Sequence, residues 1–355
     1  MTTITNIMRI IIFTVITIMW SSAPPINAAM TAKAQSQSTQ NEFDCNTVDE
    51  IPQLECEALV AIYDSTGGPT NWLKTNTPCR WFGVICSNSS GHVIELDLGH
   101  SNNTLVGDLP SEVGNLSKLT RLDLSSNQLS SIPTEIGILT NLIEICLHNN
   151  KLNSIPSEIG NLSNLEKLYL YNNQLNSIPP EIGNLSNLTM IYLSSNQLSS
   201  IPPEIGNLSS LTKLELENNQ LSDVPTEIGN LSSLTTLDLS SNQLSSIPVK
   251  IGNLSNLTEL KLFSNQLSSI PPEIGNLSAL KSLFLYSNQL SNIPTEIGNL
   301  SALTKLDLYN NQLGHIPSEI GNLSNLRTLG LHNNQLTSIP TEISKLTNLS
   351  PQSTN

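Results

Sequence analysis

From Leu119 to Asn348 the apolar and polar positions repeat every 23 residues without an internal gap. Each unit reads LxxLxLxxNxLxxIPxEIGNLSx, and ten units open at Leu119, Leu142, Leu165, Leu188, Leu211, Leu234, Leu257, Leu280, Leu303 and Leu326. The LxL segment alternates with period 2, so its leucines point to one face of a short strand. The Pro at position 15 and the Gly at position 19 forbid a long helix in the second half. That half is therefore extended or a short helical turn. In the unit opening at Leu165, seven residues should face inward: Leu165, Leu168, Leu170, Leu175, Ile178, Ile182 and Leu185. One such coil cannot bury its apolar face alone, so the units must stack. The expected fold is an α/β repeat solenoid, with a parallel concave sheet and Pro-rich convex returns. A longer variant, Val93 to Lys118, precedes the ten units and reads "LVGDLP" where the others read "LSSIP". Eleven coils at roughly 4.8 Å each give a sheet about 50 Å long.

Position 9 is Asn in all ten units: Asn127, Asn150, Asn173, Asn196, Asn219, Asn242, Asn265, Asn288, Asn311 and Asn334. An amide recurring beside buried leucines must be satisfied, and a structural ladder bonding turn backbone from coil to coil does so. Position 8, with Asn218 as an example, reads as an outward site where alanine is tolerated.

Positions 3, 5 and 7 alternate with the inward leucines and point out of the sheet. The chain has only six Tyr and five Phe, and seven of them sit at positions 5 and 7: Tyr169, Tyr171, Tyr192, Phe263, Phe284, Tyr286 and Tyr309. Position 7 gives Phe263, Tyr286, Tyr309 and His332 in four consecutive coils, while His148 and Tyr171 begin a second patch. Aromatics suit pleated sheets in general. Other units, however, manage with Ser125, Ser194 and Ser240 at position 7. Clustered exposed rings with a polar surround mark interaction surfaces. The eight residues Tyr169, Tyr171, Tyr192, Phe263, Phe284, Tyr286, Tyr309 and His332 are accordingly the candidate ligand-binding set. The larger site is expected around Phe263, Phe284, Tyr286 and Tyr309, with Lys261 beside Phe284 as a cation–π donor.

Catalytic readings fare worse. Glu144, Cys146 and His148 share one strand face, but i and i+2 side chains stand about 6–7 Å apart, and Asp123 beside Cys146 disfavours a thiolate. Cys146 is expected to be a partly exposed free thiol. Glu215, Glu217 and Asp238 read as a solvated charge patch, with Lys213 and Lys261 nearby. There is no Gly-rich phosphate loop, zinc-ligand spacing or kinase segment. No enzymatic activity, cofactor or metal is expected.

The ends set the context. Arg9 precedes the apolar run from Ile10 to Trp20, and an A-x-A site follows at Ala32-Lys33-Ala34. Residues 1–34 therefore read as a secretory signal peptide, with an uncleaved anchor as the alternative. The run is short for a membrane span, and none is expected in the mature chain. A polar linker follows at 35–44, then a cysteine-rich segment at 45–92, the repeats at 93–350 and a polar tail at 351–355. Four of the five cysteines, Cys45, Cys56, Cys79 and Cys86, lie before residue 90, as a stapled cap in an oxidising compartment requires. The formal net charge of -14 argues against nucleic acid, whose phosphates need a basic face. The recurring Asn-Leu-Ser, as at Asn161 and Asn184, forms glycosylation sequons, and it also serves as turn chemistry followed by an inward leucine.

The 23-residue unit resembles that of leucine-rich repeat proteins, over about three quarters of the chain. The segment before it carries Ala58-Leu59, Trp72 and the box "PCRWFGVIC" from Pro78 to Cys86. It resembles the N-terminal cap of plant receptor-like and inhibitor-type leucine-rich repeat proteins and of related microbial surface proteins. The resemblance implies a leucine-rich repeat horseshoe and a short cap helix. Four cysteines allow three pairings. The cap resemblance, with the short local loops, favours Cys45 with Cys56 and Cys79 with Cys86. It also implies an exported binding protein, secreted, periplasmic or at the cell surface, that recognises a protein or glycan on its concave face. The rivals are an ectodomain of a longer receptor, favoured by the bare last coil at "KLTNLSPQSTN", and a structural surface protein.

Overall fold

The computed structural model describes residues 43–99 and 105–350. The signal-peptide reading of 1–34, most of the linker and the tail at 351–355 lie outside the described residues. The compact unit that begins at Cys45 consists of a cap and stacked coils.

The cap is built on one 14-residue helix, α1 (Gln53–Thr66), longer than the short helix expected. Its buried face presents Cys56, Ala58, Leu59 and Ile62 to the core. One disulfide joins Cys45 to Cys56, and a second joins Cys79 to Cys86. Trp72 and Trp81 stack with ring centroids 5.4 Å apart. The Trp72 indole N–H donates to the Phe82 carbonyl at 2.9 Å. A buried carboxylate ties helix to sheet. Glu55 contacts His92 Nδ1 with one oxygen and accepts the Val93 N–H at 2.8 Å with the other.

Among the described residues, twelve strands form one sheet in sequential order, apart from two short segments that pair elsewhere. The first strand, Val84–Cys86, comes from the cap and pairs antiparallel with Val93–Asp97. It was not legible as a coil, because it has no LxL. The remaining strands are parallel and in register, so that Leu214, Leu237 and Leu260 face one another across three coils. A second, two-stranded sheet pairs Val106–Asp108 with Gln128–Ser131. Its Asp108 carboxylate accepts both Ser130 and Ser131 hydroxyls. Later coils keep a rung of this side from the position-10 N–H to the preceding position-11 carbonyl, as in Gln174 to Leu152 at 2.8 Å.

Each return is a five-residue 3-10 helix entered from an extended proline, such as Pro180–Asn184 after Pro179. The seven inward residues predicted for the unit at Leu165 are all buried. The glycine that every return but the last carries is set by close packing. A Cβ on Gly206 would lie 2.4 Å from the Glu227 carbonyl oxygen of the next coil.

The position-9 amides hold consecutive coils together. Asn219 Nδ2 donates to the Leu193 carbonyl of the preceding coil and to Leu216 of its own, both at 3.0 Å. Its Oδ1 accepts the Leu198 N–H at 3.0 Å. Neighbouring position 8 is outward, as expected, but its backbone is not freely permissive. Asn218 has φ 56°, and its counterparts in the other nine units also have positive φ. Asn tolerates this left-handed conformation better than most residues do, and it occupies five of the ten positions. Asn219→Ala should destabilise by roughly 1–3 kcal/mol, through orphaned backbone partners. Asn218→Ala should cost about 1 kcal/mol through a strained φ, and Asn218→Gly should recover most of that loss. Urea denaturation midpoints in the order wild type, Asn218→Gly, Asn218→Ala, Asn219→Ala check this. Equal midpoints for the two alanine variants would refute it.

Candidate ligand-binding face

Positions 3, 5 and 7 of successive coils form three files on the outer sheet face. Position 7 lies just beyond each strand yet stays in the ladder, as in the Ser195 N–H donating to the Glu217 carbonyl at 2.8 Å. Residues 23 apart are therefore neighbours, and their rings stack. Phe263, Tyr286, Tyr309 and His332 form a continuous run with successive centroids 4.5, 4.4 and 4.5 Å apart, tilted by no more than 9°. In the front coils His148 stacks on Tyr171 at 4.3 Å, and Tyr169 on Tyr192 at 4.9 Å. Burial first and the neighbouring Tyr309 second push the Tyr286 phenol up to about 12. The Tyr286 phenol is therefore neutral at physiological pH.

Phe284 stands apart from the stacked run. Register pairs it with Lys261, yet Lys261 turns away to Asp238 at 3.2 Å and Glu259 at 3.7 Å. The cation over the Phe284 ring is Lys305, 4.7 Å from its centroid. Ion pairing with a buried carboxylate outcompetes an exposed cation–π contact. Lys213 covers Tyr192 in the same way at 4.9 Å while pairing with Glu215 at 2.8 Å.

Two depressions open on this face. The larger, of about 470 Å³, is at the front, lined by His148, Tyr171, Tyr192, Ser194, Glu215 and Glu217 among others. The rear one, around Phe263, Phe284, Tyr286 and Tyr309, holds about 190 Å³. A continuous ring stack fills the space that a break in the file leaves open. Besides Glu144, Cys146, His148 and Glu215, the front depression is lined by Ser194 and Glu217, which the aromatic count passed over. Reading position 7 as a column would have exposed them, because they interrupt two aromatic runs.

The acidic residues are less uniform than a solvated patch. Asp238 is buried and accepts the Ser240 N–H at 3.0 Å and the Ser240 hydroxyl at 2.5 Å. Asp123 and Ser125 repeat the arrangement. Arg121 gathers Asp97, Asp123 and Glu144. Burial works to raise the Glu144 pKa, but hydrogen bonds from Lys167 and Arg121 outweigh it and hold this carboxyl below its ordinary value. Among the described residues, no group of three or more His, Cys, Asp or Glu side chains converges as a metal site.

Cys146 differs from expectation. It is buried between Asp123 and Tyr169 of the adjacent strands, not partly exposed. Its thiol does reach Glu144, donating to Oε1 at 3.6 Å, because the longer side chain bends back along the strand. Burial, then the charges of Asp123 and Glu144, push the thiol up to about 12. A thiol so protonated is no nucleophile at neutral pH.

The family pattern described as "Leucine-rich repeat region" matches residues 96–188, 203–309 and 266–354. The chain belongs to the leucine-rich repeat family. A second pattern, "Leucine rich repeat", matches 163–221, and "Leucine rich repeat N-terminal domain" matches 53–87, the cap. Solved leucine-rich repeat structures agree. The plant peptide hormone receptor RGFR1 in complex with RGF2 is 37% identical, with 78% of this chain and 49% of that chain covered and a TM-score of 0.68. The Arabidopsis receptor kinase HAESA, in complex with the peptide hormone IDA and the co-receptor SERK1, is 32% identical over 84% of this chain and 52% of that one, at TM-score 0.67. A plant ice-binding protein is 28% identical over 81% and 96%, at TM-score 0.66. The chain thus spans about half the length of the two receptor chains.

The buried thiol gives a direct test of the site chemistry. Native protein at pH 7.5 should leave Cys146 unmodified by a maleimide, and denaturation should expose it to full labelling. Rapid native labelling, read by mass spectrometry, would contradict the burial and the raised pKa.

Proposed function

We propose that this leucine-rich repeat protein is an exported binding protein that takes an extended peptide or protein segment across its sheet face. The observation behind this reading is the unbroken stack of Phe263, Tyr286, Tyr309 and His332 at outward positions, in a chain that is only 4% aromatic. Stacked rings offer a rigid surface, with little side-chain entropy left to lose on binding. Two similar structures are receptors in complex with peptide hormones, which favours a peptide over a glycan. The two cap disulfides fit an oxidising compartment.

A second reading rests on a different surface. Gln174, Gln197, Gln220, Gln243, Gln266 and Gln289 form an exposed polar file at one residue per coil. With the likeness to an ice-binding protein, that regular spacing fits an ordered lattice such as ice. Thermal hysteresis lost on replacing the file with lysine would favour it.

The test of the first reading is the pair Tyr286→Ala, Tyr309→Ala against a ligand captured from extracellular fluid. Loss of a hot-spot ring should weaken binding by about 2 kcal/mol or more, with little change in Tm. Unchanged affinity, even with Phe263→Ser added, would refute the reading, as would a collapse of Tm. Face-dependent signal on a glycan array instead would transfer the site to a sugar.

A further inference from the structure

The position-7 file has a gap with a charge at its centre. In chain order it runs His148, Tyr171, Ser194, Glu217, Ser240, Phe263 and Tyr286. The aromatic runs end at Tyr171 and resume at Phe263, each two strands from Glu217, or roughly 10 Å away. The two serines between them are short, so Glu217 stands in a break between the two aromatic runs, and it lines the front depression with Tyr171 and Ser194.

Of the carboxylates lining the two depressions, Glu217 is the one that forms no ion pair among the described residues. Glu144 is held by Arg121 and Lys167, Glu215 by Lys213, and Asp307 by Lys305. The nearby lysines are committed, since Lys213 pairs with Glu215 and Lys261 with Asp238. No hydrogen bond or ion pair reaches the Glu217 carboxylate among the described residues. The adjacent Ser194 hydroxyl oxygen is also buried and unpartnered. Partial burial first, and then the negative Asp238, raise the Glu217 pKa against an opposing pull from Lys261. A positive group entering the break would offset the repulsion from Asp238 and give the carboxylate a partner. A metal ion would demand several converging oxygens, and one carboxylate beside a hydroxyl supplies too few.

We infer that the peptide bound on this face presents an arginine or lysine side chain to Glu217, with apolar residues on either side resting on Tyr171 and on Phe263–Tyr286. This rests on the sheet-face reading above and adds a charge specificity to it. The Glu217 carboxylate would accept the donor N–H groups of the cation, and the Ser194 hydroxyl would gain a partner. Glu217 is a specificity residue here, since the rings on either side bind any extended apolar segment of suitable length.

The test is panning of a displayed library of random dodecapeptides against the whole chain, followed by titration of recovered peptides against Glu217→Gln and Tyr286→Ala. Glutamine keeps the shape and removes the charge. Recovered peptides should share a basic residue, lose about tenfold in affinity on Glu217→Gln, and weaken with added salt in the wild type more than in that variant. Peptides that depend on Tyr286 but lack a basic residue, or that bind Glu217→Gln equally well, overturn this inference and leave the sheet-face reading standing. If no recovered peptide depends on either residue, both fail. An unchanged Tm for Glu217→Gln shows that the comparison concerns binding and not folding.

Discussion

The position-9 amide is the interaction on which the rest of the molecule depends. Each of these side chains satisfies carbonyls of its own coil and the preceding one, and accepts an N–H from that preceding coil. Buried turn backbone has no other route to satisfaction between sheets of leucine. The amide therefore forces consecutive coils into one register. Gly206 and its counterparts enforce the same register from the return side, since any Cβ there would collide with the next coil's backbone. With both edges pinned, the coils can differ only where side chains leave the stack.

That freedom is what makes a binding face. Positions 3, 5 and 7 are not needed for the core, so they are free to hold rings, carboxylates or serines. The register then turns sequence neighbours 23 residues apart into physical neighbours, at the spacing aromatic rings prefer for offset stacking. The same rule pairs lysines with carboxylates across or along strands and leaves few uncompensated charges. The cap begins this order. Glu55 fixes the first parallel strand by accepting its Val93 N–H, and the cap's own strand covers what would otherwise be an open sheet edge.

Much of the architecture was readable from the period. The inward leucines, the short returns after proline and the outward placement of the tyrosines all follow from one repeating unit. Other features were not. The antiparallel strand Val84–Cys86 has no repeat signal, because its partner is chosen by cap packing. The second sheet at Val106–Asp108 depends on a local departure from the unit. Position 8 looked permissive because Asn and Ser are ordinary surface residues, and only the backbone reveals its left-handed turn.

At the candidate site the division is sharper. Which residues face outward follows from the repeat alone, because period 2 within the strand and period 23 along the chain fix both face and file. What those residues do to one another depends on the packed coils. Cys146 is buried because its neighbours on adjacent strands close over it, and its thiol is suppressed by charges that belong to other coils. Lys261 leaves Phe284 for Asp238, and Lys305 takes its place. Glu217 forms no ion pair because Lys213 contacts Glu215 and Lys261 contacts Asp238 instead. Spacing assigns a position, but competition among long, flexible side chains for the same partners is settled only in three dimensions.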